Sequence, residues 1–279
     1  MIRSDPVPAA IADALTAVCD VAAPFGRPIV FLEETGSTND VAAQLAAGGA
    51  GHGALVVART QTRGRGRATR EWFSPPDSGL YFSLVLRPPG VATTTVPLVT
   101  LAAGVAVSDG IEKACGLSIE LKWPNDLIVP ARLGVPSRVR WMKLGGLLAE
   151  AASVGNIVQH IILGIGVNVR EEAYPPALST IATSLAREAG REVDAAAILA
   201  QCLVALRQRW EQLFTGQAAG VLQAWRQRSP SATGVPVAII QDGGAMATGE
   251  TCGLDDTGAL CVRTDGRVVR VMSGDVQWV

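Results

Sequence analysis

Apolar residues recur along most of the chain at two spacings, one typical of helices and one typical of strands. Predicted helices cover residues 9–23, a short segment starting near Ser37, residues 96–115, about 195–214, and a shorter stretch around Trp225. Predicted strands cover 28–34, 54–59, 80–87, the segments IELKW and LIV between 119 and 129, 144–152 and 156–169. This order predicts an α+β domain.

After Pro230 the pattern changes to short β segments. They read VPVAII, MATGETCGL, ALCVRT and RVVRVMSGDVQWV, with Asp242-Gly243 and Asp265-Gly266 as turn signals. The change predicts a small β-barrel, so we divide the chain into a large domain, 1–230, and a C-terminal domain, 231–279.

A polar stretch rich in glycine, arginine and proline, residues 62–79, separates two predicted strands. A structureless loop of this length inside a compact domain is uncommon and is usually a binding loop or a lid.

Composition narrows the classes of function. Almost half of the 279 residues are apolar and the formal net charge is −1, so a sizeable core is expected and a general nucleic-acid binder is not. We find no uninterrupted apolar run long enough to cross a membrane and no secretory signal at the start. Five widely spaced cysteines fit reduced thiols, which predicts a cytoplasmic protein without a structural zinc site.

Lysine and histidine are both scarce. Of the 24 basic residues only Lys113, Lys122 and Lys143 are lysines, so a compact ammonium can be a requirement where one occurs. The alternative is three incidental surface lysines. His52 lies in a glycine-rich turn and His160 in an apolar run that predicts a core position, so neither suits a Ser-His-Asp hydrolase.

The glycine–arginine segment 64–67 is the first candidate for chemistry. Glycine lets backbone N–H groups approach an anion, and the arginines add fixed positive charge. The alternative is a solvated loop or a nucleic-acid segment. Trp72 and the prolines after it favour a loop that folds over a ligand.

Four further segments are candidates, and two of them place polar groups at strand ends. Lys122 to Asp126 combines a stiff Trp-Pro turn with three polar groups, although an Asx turn would also explain Pro124 to Asp126. Lys143 opens an apolar strand and needs an anion that its neighbours do not supply, unless it reaches out to solvent. Gly164 and Gly166 predict close approach of a ligand or another backbone, and Ser37-Thr38-Asn39 is typical of a helix N-cap.

As an ordered set, these segments resemble biotin protein ligase from about residue 30 to the C terminus. The matching pieces are 36–39, Gln61, 64–67 through Arg70 and Trp72, 122–126, 143–148, 164–168 and 182–185. The resemblance implies a catalytic domain similar to class II tRNA synthetases and lipoate ligases, with a mixed, mainly antiparallel sheet, plus an SH3-like C-terminal barrel. It implies an ATP-dependent ligase that makes biotinyl-5'-AMP and biotinylates a lysine of a biotin carboxyl carrier protein.

The resemblance also assigns roles. Expected biotin contacts are Ser37, Thr38, Asn39, Gln61, Arg65, Gly66, Arg67 and Lys143. Expected contacts on the ATP or adenylate side are Gly64, Trp72, Lys122, Asn125 and Asn168. Lys143, Arg67 and Asp126 are the expected catalytic residues. ATP and Mg²⁺ are the expected co-substrate and metal, with metal positions left open and no tightly bound prosthetic group.

Two departures from the family pattern are visible. Thr69 stands where many relatives have glycine, and the segment between Asp126 and Lys143 is longer than expected, with an insertion at about 130–140. Only about 27 residues precede the first strand, so a DNA-binding winged helix is not expected, and neither DNA nor a membrane is an expected partner. A lipoate or octanoate ligase and a non-catalytic biotin sensor remain alternatives, and monomer and homodimer are both left open.

Overall fold

A computed structural model describes residues 2–68, 70–131, 141–240, 246–272 and 274–278. The helices are α1 Ala9–Ala22, α2 Thr38–Ala47, α3 Val96–Cys115, α4 Leu185–Ala189, α5 Ala195–Phe214 and α6 Ala218–Arg228. The first seven strands are β1 Ile29–Thr35, β2 Leu55–Gln61, β3 Gly79–Leu86, β4 Glu120–Lys122, β5 Asp126–Pro130, β6 Trp141–Val154 and β7 Ile157–Asn168. The last five are β8 Thr233–Ile240, β9 Met246–Leu254, β10 Leu260–Thr264, β11 Arg267–Val271 and β12 Asp275–Trp278.

The main sheet has seven strands in the order β1-β2-β3-β7-β6-β5-β4. β1 and β2 are parallel, whereas the other neighbours pair antiparallel. The predicted mixed, mainly antiparallel sheet is therefore confirmed, and each predicted strand before residue 170 lies within a few residues of its expected position.

Helices cover both faces of this sheet because successive strand side chains point to opposite sides. Leu55 and Val57 belong to the large core shared with α3 and α5, whereas Val56 between them packs with Ala42 of α2. Asp194 is the N-cap of α5. Its carboxylate accepts hydrogen bonds from the N–H groups of Ala196 and Ala197 at 2.9 and 3.1 Å.

α3 is the central helix of the core. Together with the preceding turn, Thr93–Cys115 has the length and mean hydropathy, 1.4, of a membrane-crossing helix, but 61% of that window is buried inside the fold. A Cβ at Gly110 would lie 2.6 Å from the Cα of Cys202, so this glycine lets α3 and α5 approach closely. The helix is thus a core element between the sheet and α5.

The C-terminal segment forms a second, antiparallel sheet in the order β11-β10-β9-β8-β12. Among the described residues β11 and β12 remain at its two edges, so the structure shows a separate five-stranded antiparallel sheet and the predicted closed barrel is not confirmed. It is joined to the main domain, since the indole Nε1 of Trp123 donates to the Gly258 carbonyl at 3.0 Å. Most of the predicted 130–140 loop, and Thr69, lie outside the described residues.

His52 lies in a turn and packs against the core. Its titration is expected to make the free energy of unfolding depend on pH. Its ring packs against Phe25 and Trp210, and Nδ1 accepts the Arg87 N–H at 3.1 Å. Burial lowers the pKa of His52. His160, predicted as a core residue, is only partly buried, and its pKa is lowered for the same reason.

Acidification is therefore expected to destabilise the fold. The folded-state pKa of His52 lies below its unfolded-state value, so its contribution is complete above about pH 6.5 and is lost as pH falls toward the folded value. The urea midpoint should drop between about pH 7 and pH 5, and His52→Gln should flatten that drop. If His160→Gln flattens it more, His52 is not the main titrating group.

Candidate active site

One cavity of about 1130 Å³ lies at the end of the main sheet where β1 and β2 finish and β5 begins. The 62–79 loop forms one wall, and Ile240, Gly274 and Val276 of the C-terminal sheet contribute to another. Every residue that the sequence analysis assigns to a ligand or to catalysis lines this cavity. Their convergence from both halves of the main domain is what a single site requires.

A chain of polar side chains forms the floor of the cavity. The backbone N–H and the hydroxyl of Thr38 both lie within hydrogen-bond distance of Gln61 Oε1, at 2.9 and 3.1 Å. The buried hydroxyl of Ser83 lies 2.6 Å from Asn39 Oδ1 and 2.8 Å from Thr38 Oγ1. The amide of Asn39 then donates to the Glu150 carboxylate. These contacts fix how the amides of Asn39 and Gln61 face the cavity.

Ser37 occupies the N-cap position of α2, as its sequence pattern suggests. Its side chain makes no capping hydrogen bond, although the residue is only 3% exposed. The hydroxyl borders the cavity instead. A plain capping role therefore does not account for this serine.

The glycines of the loop serve its own packing. A Cβ at Gly64 would lie 2.3 Å from the carbonyl oxygen of Trp72, and the Gly66 N–H donates to the Arg70 carbonyl at 2.7 Å. The Gly66 N–H is therefore used within the loop in this structure. The positive charge of the loop comes from its arginine side chains.

The two central arginines of the loop point to different partners. Arg65 contacts the carboxylates of Asp40 and Glu150 at 2.8 and 3.0 Å. Arg67 reaches the C-terminal sheet, where its guanidinium lies 3.4 Å from the Gly274 carbonyl oxygen. The loop is thus tied to α2 and β6 on one side and to the second sheet on the other.

Lys143 and Asp126 face each other across the β5–β6 pair. The ammonium and the carboxylate are 2.7 Å apart, and their side chains are 37% and 22% exposed. The residues adjacent to Lys143 in sequence supply no anion, but β-pairing brings a carboxylate from 17 residues away. The Nζ atom also lies 5.7 Å from the centre of the Trp72 ring. This pair is the charged centre of the cavity.

Three residues expected on the ATP side also make contacts with neighbouring elements of the fold. The Asn125 amide donates to the Leu147 carbonyl at 2.6 Å, and that of Asn168 donates to the Thr183 carbonyl at 2.9 Å. Lys122 places its ammonium 4.1 Å above the Trp278 ring. Each therefore lines the cavity while positioning a neighbouring element.

The two glycines of β7 accommodate side chains of the chain itself. A Cβ at Gly164 would lie 2.2 Å from Asn39 Oδ1, and one at Gly166 would lie 2.5 Å from Trp72 Nε1. Close approach was predicted correctly, but the approaching groups are Asn39 and Trp72. A larger residue at Gly164 would displace Asn39, and one at Gly166 would displace Trp72.

Sequence reasoning missed Ser83, Glu150 and Asp40. Ser83 and Glu150 interrupt apolar strands, and a polar residue at an inward position of such a strand is a usable signal. Asp40 directly follows the Ser37-Thr38-Asn39 run and reads there as an ordinary first-turn acid.

The described residues contain no group of three or more His, Cys, Asp or Glu side chains that could hold a metal ion. A dedicated metal site therefore does not fit this donor set. Mg²⁺ commonly binds through substrate phosphates with few protein ligands, and such a mode needs no such group.

Comparison with known proteins identifies the class first. Residues 32–168 match the biotin/lipoate A/B protein ligase family, and residues 233–278 match the biotin protein ligase C terminal domain. The fold and the site thus define a ligase of the biotin and lipoate type.

Individual relatives narrow the assignment. The chain is 37% identical over 238 residues to biotin--[acetyl-CoA-carboxylase] ligase of Paracoccus denitrificans, covering 83% of this chain and 92% of that protein. It is 32% identical over 255 residues to the bifunctional ligase/repressor BirA of Bacillus subtilis, covering 91% and 74%. A solved biotin protein ligase from Aquifex aeolicus in complex with biotin and ATP has a TM-score of 0.74 at 26% identity, covering 91% of this chain and 99% of that one.

The chain belongs to the biotin/lipoate A/B protein ligase family, and within that family to the biotin protein ligases.

Proposed function

We propose that this protein joins biotin to AMP at the expense of ATP and then transfers the biotinyl group to a lysine of a biotin carboxyl carrier protein. The observation that carries the proposal is the single cavity, which unites the polar floor at Thr38 and Gln61 with the Lys143–Asp126 pair. The relatives are named as biotin ligases, which supports biotin over lipoate. No contact among the described residues of the site favours the lipoate alternative.

The first step joins two anions. A carboxylate oxygen of biotin attacks the α-phosphorus of ATP, the bond to the β-phosphate oxygen breaks, and pyrophosphate leaves. Lys143 and Arg67 supply positive charge where negative charge accumulates, and such preorganised charge lowers the barrier most in a site with little water. The polar floor holds the ureido ring and keeps the carboxylate in line with phosphorus.

The second step consumes the mixed anhydride. The neutral amine of the acceptor lysine attacks the acyl carbon, the carbon–oxygen bond to AMP breaks, and the amine releases a proton. Asp126 is the carboxylate available to bind that amine and receive its proton. Asp126 also contacts Lys143, the cation used in the first step. The same carboxylate therefore serves both steps.

Mg²⁺ belongs to the proposal as the ion that accompanies the phosphates of ATP, where it neutralises charge. We also propose that the C-terminal sheet is an SH3-like module and that the protein acts in the cytoplasm. The strand order of that sheet supports the first point, and five unpaired cysteines support the second.

Replacing Asp126 tests the division into two steps. Asp126→Asn keeps an oxygen near Lys143 but removes the negative charge, so transfer to the carrier domain should slow by about a hundredfold while pyrophosphate exchange falls much less. Single-turnover transfer from preformed adenylate measures the second step alone. Equal losses in both assays would contradict the assignment of Asp126 to transfer.

Ser83 is expected to position the floor of the biotin pocket. Ser83→Ala removes the hydroxyl beside Asn39 Oδ1, so biotin should bind about tenfold more weakly, equivalent to about 1.4 kcal/mol. Calorimetric titration measures the affinity. The matched control is Ser108→Ala, because Ser108 is equally buried and its hydroxyl has no partner. Equal affinities of the two variants would contradict the role.

A further inference from the structure

The cations around the cavity divide by type and by position. Those on the 62–79 loop are four arginines, Arg63, Arg65, Arg67 and Arg70. The lysines are Lys122 and Lys143, both on the main sheet. Arg63 and Arg70 are exposed and carry no assigned role in the reaction.

The two cation types differ in reactivity toward an activated acyl group. A lysine amine attacks once it loses its proton, whereas a guanidinium stays charged at any pH a protein meets. In a site that holds a biotinyl mixed anhydride, every accessible lysine is thus a competing acceptor. An arginine at the same place supplies the same charge without reacting.

Both cavity lysines have their ammonium groups engaged. Lys143 donates to the Asp126 carboxylate at 2.7 Å, and this contact holds its nitrogen in place. Lys122 holds its ammonium 4.1 Å above the Trp278 ring, an arrangement that favours the cation over the neutral amine. The third lysine, Lys113, is exposed in the last turn of α3 and does not line the cavity.

We propose that the cavity is built to resist acylation by its own intermediate: arginines carry the loop's charge, and the ammonium groups of the two lysines beside them are held in contact with Asp126 and Trp278. This inference rests on the proposed function. Arginine also outnumbers lysine 21 to three over the whole chain, so composition alone does not single out the cavity. What singles out the cavity is that the ammonium groups of both its lysines are held in contact, one with Asp126 and one with Trp278.

The reaction avoided is a simple acyl transfer. An unprotonated amine would attack the acyl carbon of biotinyl-AMP, a carbon–nitrogen bond would form, and the carbon–oxygen bond to phosphate would break. AMP would leave with the bonding electrons, and the amine proton would pass to water. The product would be a biotinylated ligase.

Placing a lysine at the mouth of the cavity tests the proposal. Arg70→Lys and, independently, Arg63→Lys keep the charge and add an amine beside the adenylate. The matched control is Arg27→Lys, because Arg27 is also exposed. It lies before β1, and the seven residues of that strand, about 23 Å long, separate it from the end of the strand that borders the cavity. The full-length proteins are incubated with biotin, ATP and Mg²⁺ at mildly alkaline pH without a carrier, and the modified residues are located by peptide mass spectrometry.

The loop variants should incorporate at least about tenfold more biotin than Arg27→Lys, at residue 63 or 70, because proximity raises the effective concentration of the amine. The original chain should remain unmodified at Lys122 and Lys143. Labelling of either lysine, or loop variants no different from the control, would overturn the proposal. Biotin-dependent pyrophosphate exchange, run on every sample, separates that result from failure of the proposed function, which would abolish exchange in all of them.

Discussion

Lys143→Ala is expected to abolish adenylate formation, with a loss of at least about a hundredfold in biotin-dependent pyrophosphate exchange. The ammonium of Lys143 lines the cavity and is fixed by Asp126 at 2.7 Å. Without it, two anions would have to meet beside an uncompensated carboxylate. The first half-reaction should therefore fail before transfer begins.

The fold should survive this change, because the Lys143 side chain is 37% exposed and Asp126 can be hydrated. Circular dichroism and thermal unfolding check that point. Lys113→Ala is the matched control, since Lys113 is exposed and lies outside the cavity. Full exchange activity in Lys143→Ala would remove Lys143 from the mechanism.

Arg67→Gly is expected to release the adenylate about thirtyfold faster or more, equivalent to about 2 kcal/mol of lost retention. Arg67 lines the cavity, and its guanidinium lies within 3.4 Å of the Gly274 carbonyl oxygen. Its removal takes away both a charge and the loop's contact with the C-terminal sheet.

Dissociation of preformed, labelled adenylate measures this effect. Arg63→Gly is the control for added backbone freedom, because it introduces a glycine into the same loop while the residue 63 N–H still reaches the Gly36 carbonyl. An unchanged release rate in Arg67→Gly, or an equal increase in Arg63→Gly, would show that Arg67 does not retain the intermediate.

The periodic parts of the fold were predictable because their patterns are strong. α3 and α5 are twenty-residue helices with apolar residues at helical spacing, and the structure starts and ends them at 96–115 and 195–214, as expected. The C-terminal strands were also located, but whether their sheet closes depends on the pairing of β11 and β12. Pairing of distant edges leaves no local signal in a sequence.

The sequence marked many of the residues that line the cavity, but it did not indicate their contacts with one another. Unusual residue types at strand ends marked Lys143 and Asp126, yet their ion pair depends on the register of β5 against β6. In the same way Gly164 indicated a close approach without indicating that Asn39 makes it. Glu150 interrupts an apolar strand, but the sequence did not indicate its contacts with Asn39 and Arg65, which depend on the path of the β6 backbone.

The most direct test of the central claim is exchange of labelled pyrophosphate into ATP, with biotin and lipoate as parallel substrates and Mg²⁺ present. The cavity with Lys143 and Arg67 beside a polar floor predicts exchange with biotin and none with lipoate. Exchange with lipoate alone would reassign the protein to the lipoate ligases. No exchange with either acid in a folded sample would contradict adenylation and leave a protein that binds biotin without activating it.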